Sequence, residues 1–197
     1  MGIVKLPRDF YLQEDVVHVA RSLIGKFLVT CFGNVQTSGM IIETEAYAGE
    51  IDKASHAFGN RRTKRTETMF GEGGTAYVYL CYGIHHLFNV VTNQKDISHA
   101  VLIRALRPVD GKEVIRERRN GMKDEKKWCA GPGTLSQSLG IRTEHDGMNL
   151  SGTSIWLEDR GVQVSSGDIL SGPRVGVDYA GDHALWPYRF LYQPQDK

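Results

Sequence analysis

Apolar residues recur at helical spacing in only a few stretches of this chain, and most of the rest alternates. Over Glu14–Ile24 the positions Val16, Val17, Ala20, Leu23 and Ile24 predict one leading helix, with Gly25 suited to stop it. KFLVTCF (26–32) reads as a strand, Gly33-Asn34 as a hairpin turn, and SGMIIETEAY (38–47) as the returning strand. Alternate residues of a strand share a face. Ile41, Glu43, Glu45 and Tyr47 are therefore expected on one side, and Met40, Ile42, Thr44 and Ala46 on the other. Residues 48–74 are polar and rich in Gly and Arg, a long loop of the kind that often carries function. TAYVYLCY (75–82) is a strand punctuated by Gly83, HHLFNVVTN (85–93) continues extended, and HAVLIRAL (99–106) is another strand. A helix is expected shortly after Pro108, and a short one in GPGTLSQSLG (131–140) between its glycines. The last third holds three strand-like runs, SIWLED, VQVSS and PRVGVDY. This order implies an α+β fold with a mostly antiparallel sheet, as a single mixed domain over residues 1–197.

A chain of 197 residues is long enough for one sizeable core and short for two. Apolar residues make up 41 %, and no stretch approaches the roughly 20 consecutive apolar residues of a membrane span. The start, MGIVKLPRDFYLQED, is interrupted by Pro7, Arg8 and Asp9 before any secretory run, so a soluble intracellular protein is expected. Cys31, Cys81 and Cys129 have neither disulfide-framework nor zinc spacing. The net charge of +1 excludes nothing, but the charge is unevenly spread. Residues 61–65 read RRTKR, and Arg104–Lys127 holds nine basic against five acidic residues. From Glu144 to Asp182 only Arg160 and Arg174 are basic, among seven acidic residues. A basic middle could face a polyanion; on charge alone these remain ordinary solvated segments.

Glu43 and Glu45, two apart on a strand, stand roughly 6–7 Å apart on one face. Set in an apolar strand beside Tyr47, a carboxylate of this pair suits a general base, and the pair also suits a glycosidase acid and base. Tyr77 and Tyr79 share a face, and Tyr82 points the other way or sits at the bend before Gly83. Tyrosines are common in strands, and packing is the plain explanation; the functional one is a stacking platform or wedge for planar bases. Asn89 inside LFNVV needs hydrogen-bond partners, and Arg104 inside VLIRAL needs an anionic one, a carboxylate or a phosphate. No HExxH, CxxC, GxSxG or P-loop ending is present, so no metal or cofactor is expected.

Taken together, ETEAY (43–47), His56 in SHAFGN, MFGEGGTAYVYLCYG (69–83), Asn89, LIRAL (102–106), GPGTLSQSLGI (131–141) and RVGV (174–177) resemble the alkyladenine, or 3-methyladenine, DNA glycosylase family. The resemblance runs from about Leu12 to about Phe190. It implies a mixed domain with a curved antiparallel sheet and flanking helices, and an enzyme that removes damaged purines (3-methyladenine, 7-methylguanine, hypoxanthine, ethenoadenine) from double-stranded DNA. It makes Glu45 the general base for the attacking water, with Arg104 positioning that water and binding phosphate, and the Val175 carbonyl contacting it. Tyr47, His56 and Tyr79 become pocket walls, Tyr77 the support of His56, and Asn89 a residue that discourages guanine. Tyr82 becomes a wedge into the duplex, with Gly83 and Ile84 beside it at the DNA. Ile84 and His85 stand where animal members carry a different apolar residue and an aromatic, and the basic N-terminal extension of those members has no counterpart. A bacterial-type, cytoplasmic, nucleoid-associated monomer follows.

Base flipping costs a few kcal/mol, least for a badly paired lesion, and an aromatic pocket favours electron-poor alkylated purines. No Lys matches a Schiff-base nucleophile, so no lyase step is expected. Three other readings stand beside this one: a catalytically silent damaged-DNA binder, a carbohydrate hydrolase built on Glu43 and Glu45, and a β-rich interaction protein.

Overall fold

Hairpins build the sheet. The computed structural model describes residues 2–194, and the strands are β1 (Val4–Lys5), β2 (Phe27–Phe32), β3 (Val35–Ala48), β4 (Ala76–Cys81), β5 (His85–Thr92), β6 (His99–Pro108), β7 (Ile155–Asp159), β8 (Ile169–Gly172) and β9 (Arg189–Tyr192). Among these residues they form one nine-stranded sheet in the order β1-β7-β2-β3-β6-β5-β4, with β9 on β3 and β8 on β9. Every pairing is antiparallel. Helices α1 (Arg8–Tyr11), α2 (Val16–Ser22), α3 (Lys112–Arg118) and α4 (Pro132–Leu139) flank the curled sheet, which is the α+β architecture expected.

Local chemistry sets these boundaries. The Asp15 carboxylate accepts from the Val17 and His18 N–H groups and so caps α2. Gly33 and Asn34 turn the β2–β3 hairpin at φ +56° and +65°, the left-handed pair that suits a two-residue connection. At the start of α4, a Cβ on Gly133 would come within 2.8 Å of the His85 ring, so only glycine lets this helix approach β5 so closely.

The main core lies under the sheet. Val19 and Ala20 of α2, Leu23 at its C-terminal end, and Leu135 and Leu139 of α4 pack there against Ile41, Phe88, Val90, Val101 and Ile103. Each of the Val, Leu, Ile and Phe side chains among them contributes about 1.5–3 kcal/mol by leaving water.

Ile41 corrects the expected alternation. It belongs to this core together with Ala46, while Glu43, Glu45 and Tyr47 face the other way, and Met40 and Ile42 pack with Phe27 and Val29. The cause is a pair of bulges. Ile41 pairs with Leu106, Glu43 with Ala105 and Thr44 with Ile103, so Ile42 is an extra residue on β3 and Arg104 an extra residue on β6. Each bulge inverts the alternation of its own strand.

Other differences lie late in the chain, in the loop and at the start of the chain. SIWLED is β7, but VQVSS forms no strand; Val162 and Val164 instead fill gaps in the core beyond Gly161, which sits at φ +75°. PRVGVDY is irregular and passes into a 3-10 turn over Asp178–Leu185, because Gly176 at φ +72° breaks the extended run. The pattern missed α1, β1, β8 and β9, all four residues or shorter. The 48–74 loop is not uniformly polar: Ala57, Met69 and Phe70 form a second small core with Tyr77, Val91 and Ala100.

Candidate active site

Strand register assembles the site. Across four neighbouring strands, Glu45 pairs with Leu102, Leu102 with Asn89, and Asn89 with Tyr77. One step along, Tyr47 pairs with Ala100 and Ala100 with Val91. Residues of these rows form the floor of a cleft of about 660 Å³. The 48–74 loop lends it Ala54, His56, Arg65 and Met69, the Val175–Tyr179 segment closes another side, and the Gly131–Thr134 start of α4 a third.

Glu45 lies just behind that floor, with no solvent exposure. Its three partners line the cleft. Oε1 accepts from the Val175 N–H at 2.7 Å, Oε2 accepts from the Tyr47 hydroxyl at 2.8 Å, and Arg104 Nη1 stands 3.4 Å from Oε1. Each of these three partners is a donor group. Burial, then the Glu45 charge and the hydrogen bond to it, hold the Tyr47 proton on well above the ordinary tyrosine range. Hydrogen bonds from Val175 and Tyr47 thus fill one position on each oxygen, and Arg104 adds its charge at ion-pair distance.

The bulge aims Arg104 at this carboxylate. Burial opposes its charge, but Glu45 and Glu43 outweigh burial and raise its affinity for the proton. Arg104 Nε donates to Glu43 Oε1 at 3.0 Å and Arg189 Nε to the same oxygen at 2.6 Å. Glu43 is therefore a brace between two arginines, and the anionic partner sought for Arg104 is a carboxylate pair.

The aromatic wall is built on β4. His56 meets Tyr79 edge-on, at 4.7 Å between ring centres and 76° between planes. Its Nδ1 is 3.0 Å from the Tyr77 hydroxyl, and its Nε2 accepts from Arg65 Nη2 at 3.3 Å, which puts the ring proton on Nδ1. Burial, and after it the Arg65 charge, pushes His56 down to about 4, so the imidazole is neutral near pH 7. Burial pushes the Tyr77 hydroxyl up to about 12. Asn89 is buried and spends its Nδ2 on the Tyr77 and Leu87 carbonyls, at 3.1 and 3.4 Å, leaving its oxygen as the open polar atom.

At the tip of the β4–β5 hairpin, Tyr82 is 92 % exposed and Ile84 70 %. Tyr82 sits at φ +51°, Gly83 at φ +72°, and the Ile84 N–H closes the turn onto the Cys81 carbonyl. A left-handed tyrosine costs about 1–2 kcal/mol, and strain of this kind gathers at functional positions. Tyr82 sits on the cleft rim, with Gly83 and Ile84 just outside the lining.

Sequence reasoning missed several members. Asp52 and Arg174 form a fully buried, two-pronged ion pair. Arg174 also donates to the Ala46 carbonyl at 2.8 Å and to the His183 carbonyl at 3.1 Å, and lies between the Tyr47 and Tyr188 rings at 4.8 and 5.3 Å. This pair anchors the residue next to Val175. Its only signal was an arginine inside RVGV, whose partner is 122 residues away. Arg65 and Tyr179 also line the cleft. Of the basic segments, Arg62 is bound to Glu67 and Asp96, and Lys112, Arg116 and Lys127 to neighbouring acids.

The methylpurine-DNA glycosylase family model matches residues 9–196. A Chlamydia felis protein named "Putative 3-methyladenine DNA glycosylase" is 43% identical over 187 residues, covering 94% of this chain and 95% of its own. Proteins of the same name from Chlamydia abortus and Bacillus cytotoxicus are 44% and 42% identical, over 94% and 96% of this chain and 97% of each of theirs.

Proposed function

Because the chain belongs to the methylpurine-DNA glycosylase family, and is therefore a DNA N-glycosylase, we propose the following reaction for it. It flips 3-methyladenine, 7-methylguanine, hypoxanthine or ethenoadenine out of duplex DNA and hydrolyses the N-glycosidic bond with a water activated by Glu45. The observation that carries this is the fully buried Glu45 carboxylate, held by two hydrogen bonds and an arginine ion pair from residues that line an aromatic cleft.

A base within a duplex is out of reach of any side chain, so it must leave the stack. Tyr82, exposed at a hairpin tip, fills the gap, and Gly83 and Ile84 follow the backbone beside it. The flipped base lies against Tyr47, Tyr79 and His56, with His56 held by Tyr77 and Asn89 reading the base edge. Water, hydrogen-bonded to Glu45 and the Val175 backbone and oriented by Arg104, attacks C1′. The new bond is C1′–O, the C1′–N bond breaks with its electrons passing to the base, and the water proton goes to the Glu45 carboxylate. A general base of this kind contributes about 10²–10⁴-fold. Neutral His56 adds no positive charge of its own beside a cationic base. The cleft lining brings arginines and histidines but, among the described residues, no lysine amine, which supports hydrolysis without strand cleavage. Among the described residues no helix is long and apolar enough to cross a membrane; action as a monomer at the nucleoid belongs to the same proposal.

The test is base release from duplexes carrying single damaged purines, with strands analysed before and after alkali. The proposal expects free base and strands that break only after alkali. Nicking without alkali would remove the hydrolytic step, and no base from any of the four lesions would leave a silent DNA binder.

A further inference from the structure

Arg65 is a cation placed where a flipped base would go. Its guanidinium carbon lies 5.1 Å from the centre of the Tyr79 ring, and its Nη2 donates to His56 Nε2. It therefore covers the stacking face and an acceptor of the pocket wall at once. Among the described residues no carboxylate lies within ion-pair distance of it, unlike Arg62 three positions earlier, which is paired with Glu67 and Asp96. Its backbone has little freedom. Buried Thr66 next to it is tied to the Thr63 N–H at 2.8 Å and to the Arg61 carbonyl at 2.8 Å.

We propose that Arg65 sets the charge preference of the pocket, disfavouring cationic purines relative to neutral ones. This rests on the glycosylase reading above. A cationic base that stacks on Tyr79 replaces one cation–π contact by another and meets the Arg65 charge at short range. A neutral purine with an acceptor on its edge meets the same guanidinium as a hydrogen-bond donor. Two bases that ask the same of the aromatic wall are thereby separated by a residue outside the sheet.

The experiment compares single-turnover base release from duplexes carrying one 7-methylguanine, a cation, or one hypoxanthine, which is neutral. The parent, Arg65→Gln and Arg65→Lys are measured side by side. Arg65→Gln should raise the 7-methylguanine to hypoxanthine rate ratio about tenfold, while Arg65→Lys, which keeps the charge, should stay within about threefold of the parent. General weakening of DNA binding cancels in the ratio at saturating enzyme. An unchanged ratio in Arg65→Gln overturns the proposal, and an equal shift in Arg65→Lys overturns charge as its cause. A parent that releases neither of these, nor 3-methyladenine or ethenoadenine, fails the glycosylase reading instead.

Discussion

Asp52→Asn should unfold the enzyme more easily and also slow it, although Asp52 does not line the cleft. Both partners of the Asp52–Arg174 pair are fully buried. Burial opposes the Arg174 charge, and Asp52 outweighs it. Asp52 also accepts from the Ala48 and Ala54 N–H groups at 3.1 and 3.0 Å. Breaking a buried pair by removing one charge costs about 3–5 kcal/mol. Asparagine keeps the shape and one acceptor, so about 3 kcal/mol is expected, or roughly 6–12 °C in melting temperature for a chain of this size. The rate should fall because Arg174 precedes Val175, whose N–H holds Glu45 Oε1. Loss of one hydrogen bond to a charged group, about 1.5–3 kcal/mol, corresponds to roughly tenfold to hundredfold. Thermal melts and single-turnover base excision well below the melting range measure the two effects. A double variant, Asp52→Leu with Arg174→Met, separates them: an apolar pair regains most of the stability, yet should stay slow because nothing orients residue 175. An Asp52→Asn enzyme that melts within about 2 °C of the parent and cuts at the parental rate would refute the reasoning.

Tyr82→Ala removes a side chain that is 92 % exposed, so stability should change by no more than about 0.5 kcal/mol. Base excision should fall well beyond any loss in duplex binding, because nonspecific affinity comes mainly from phosphates; equal excision rates would take the wedge out of the mechanism. His56 makes a pH prediction. Its folded value of about 4 lies below the ordinary 6.5, so between these values the unfolded chain binds more protons and stability falls as pH drops from 6.5 towards 4. The full shift corresponds to at most about 3 kcal/mol, less for a ring that is partly solvated. His56→Gln should flatten the decline seen between urea melts at pH 6.5 and pH 4.5, and an unchanged slope would clear His56 of responsibility.

Much of the fold could be read because local patterns agree with it. The leading helix, the Gly33-Asn34 hairpin, strands β2 to β6 and the helix between Gly131 and Gly140 all have their own start and stop chemistry. The short strands β8 and β9 do not, since pairing of β9 with β3 and of β8 with β9, not residue pattern, makes them extended. The paired bulges at Ile42 and Arg104 were invisible for a related reason: register belongs to two strands at once, while periodicity belongs to one. In the site, Glu45, Asn89 and Tyr77 converge because neighbouring strands bring them into one row, with Tyr47 one step along; Tyr79 lies further along β4, and the bulge brings in Arg104. What stayed hidden depends on distant partners, as with Arg174 and Asp52, or on a loop folding over the sheet, as with Arg65.

Glu45→Gln, measured on a duplex with a single hypoxanthine, tests the central claim most directly. Glutamine preserves an acceptor for the Val175 N–H but cannot take a proton from water. The account predicts damaged-DNA binding within a few fold of the parent and base release slowed by about 10²–10⁴-fold. Release at a rate close to the parent's, with binding intact, would contradict it and move the general base elsewhere in the cleft.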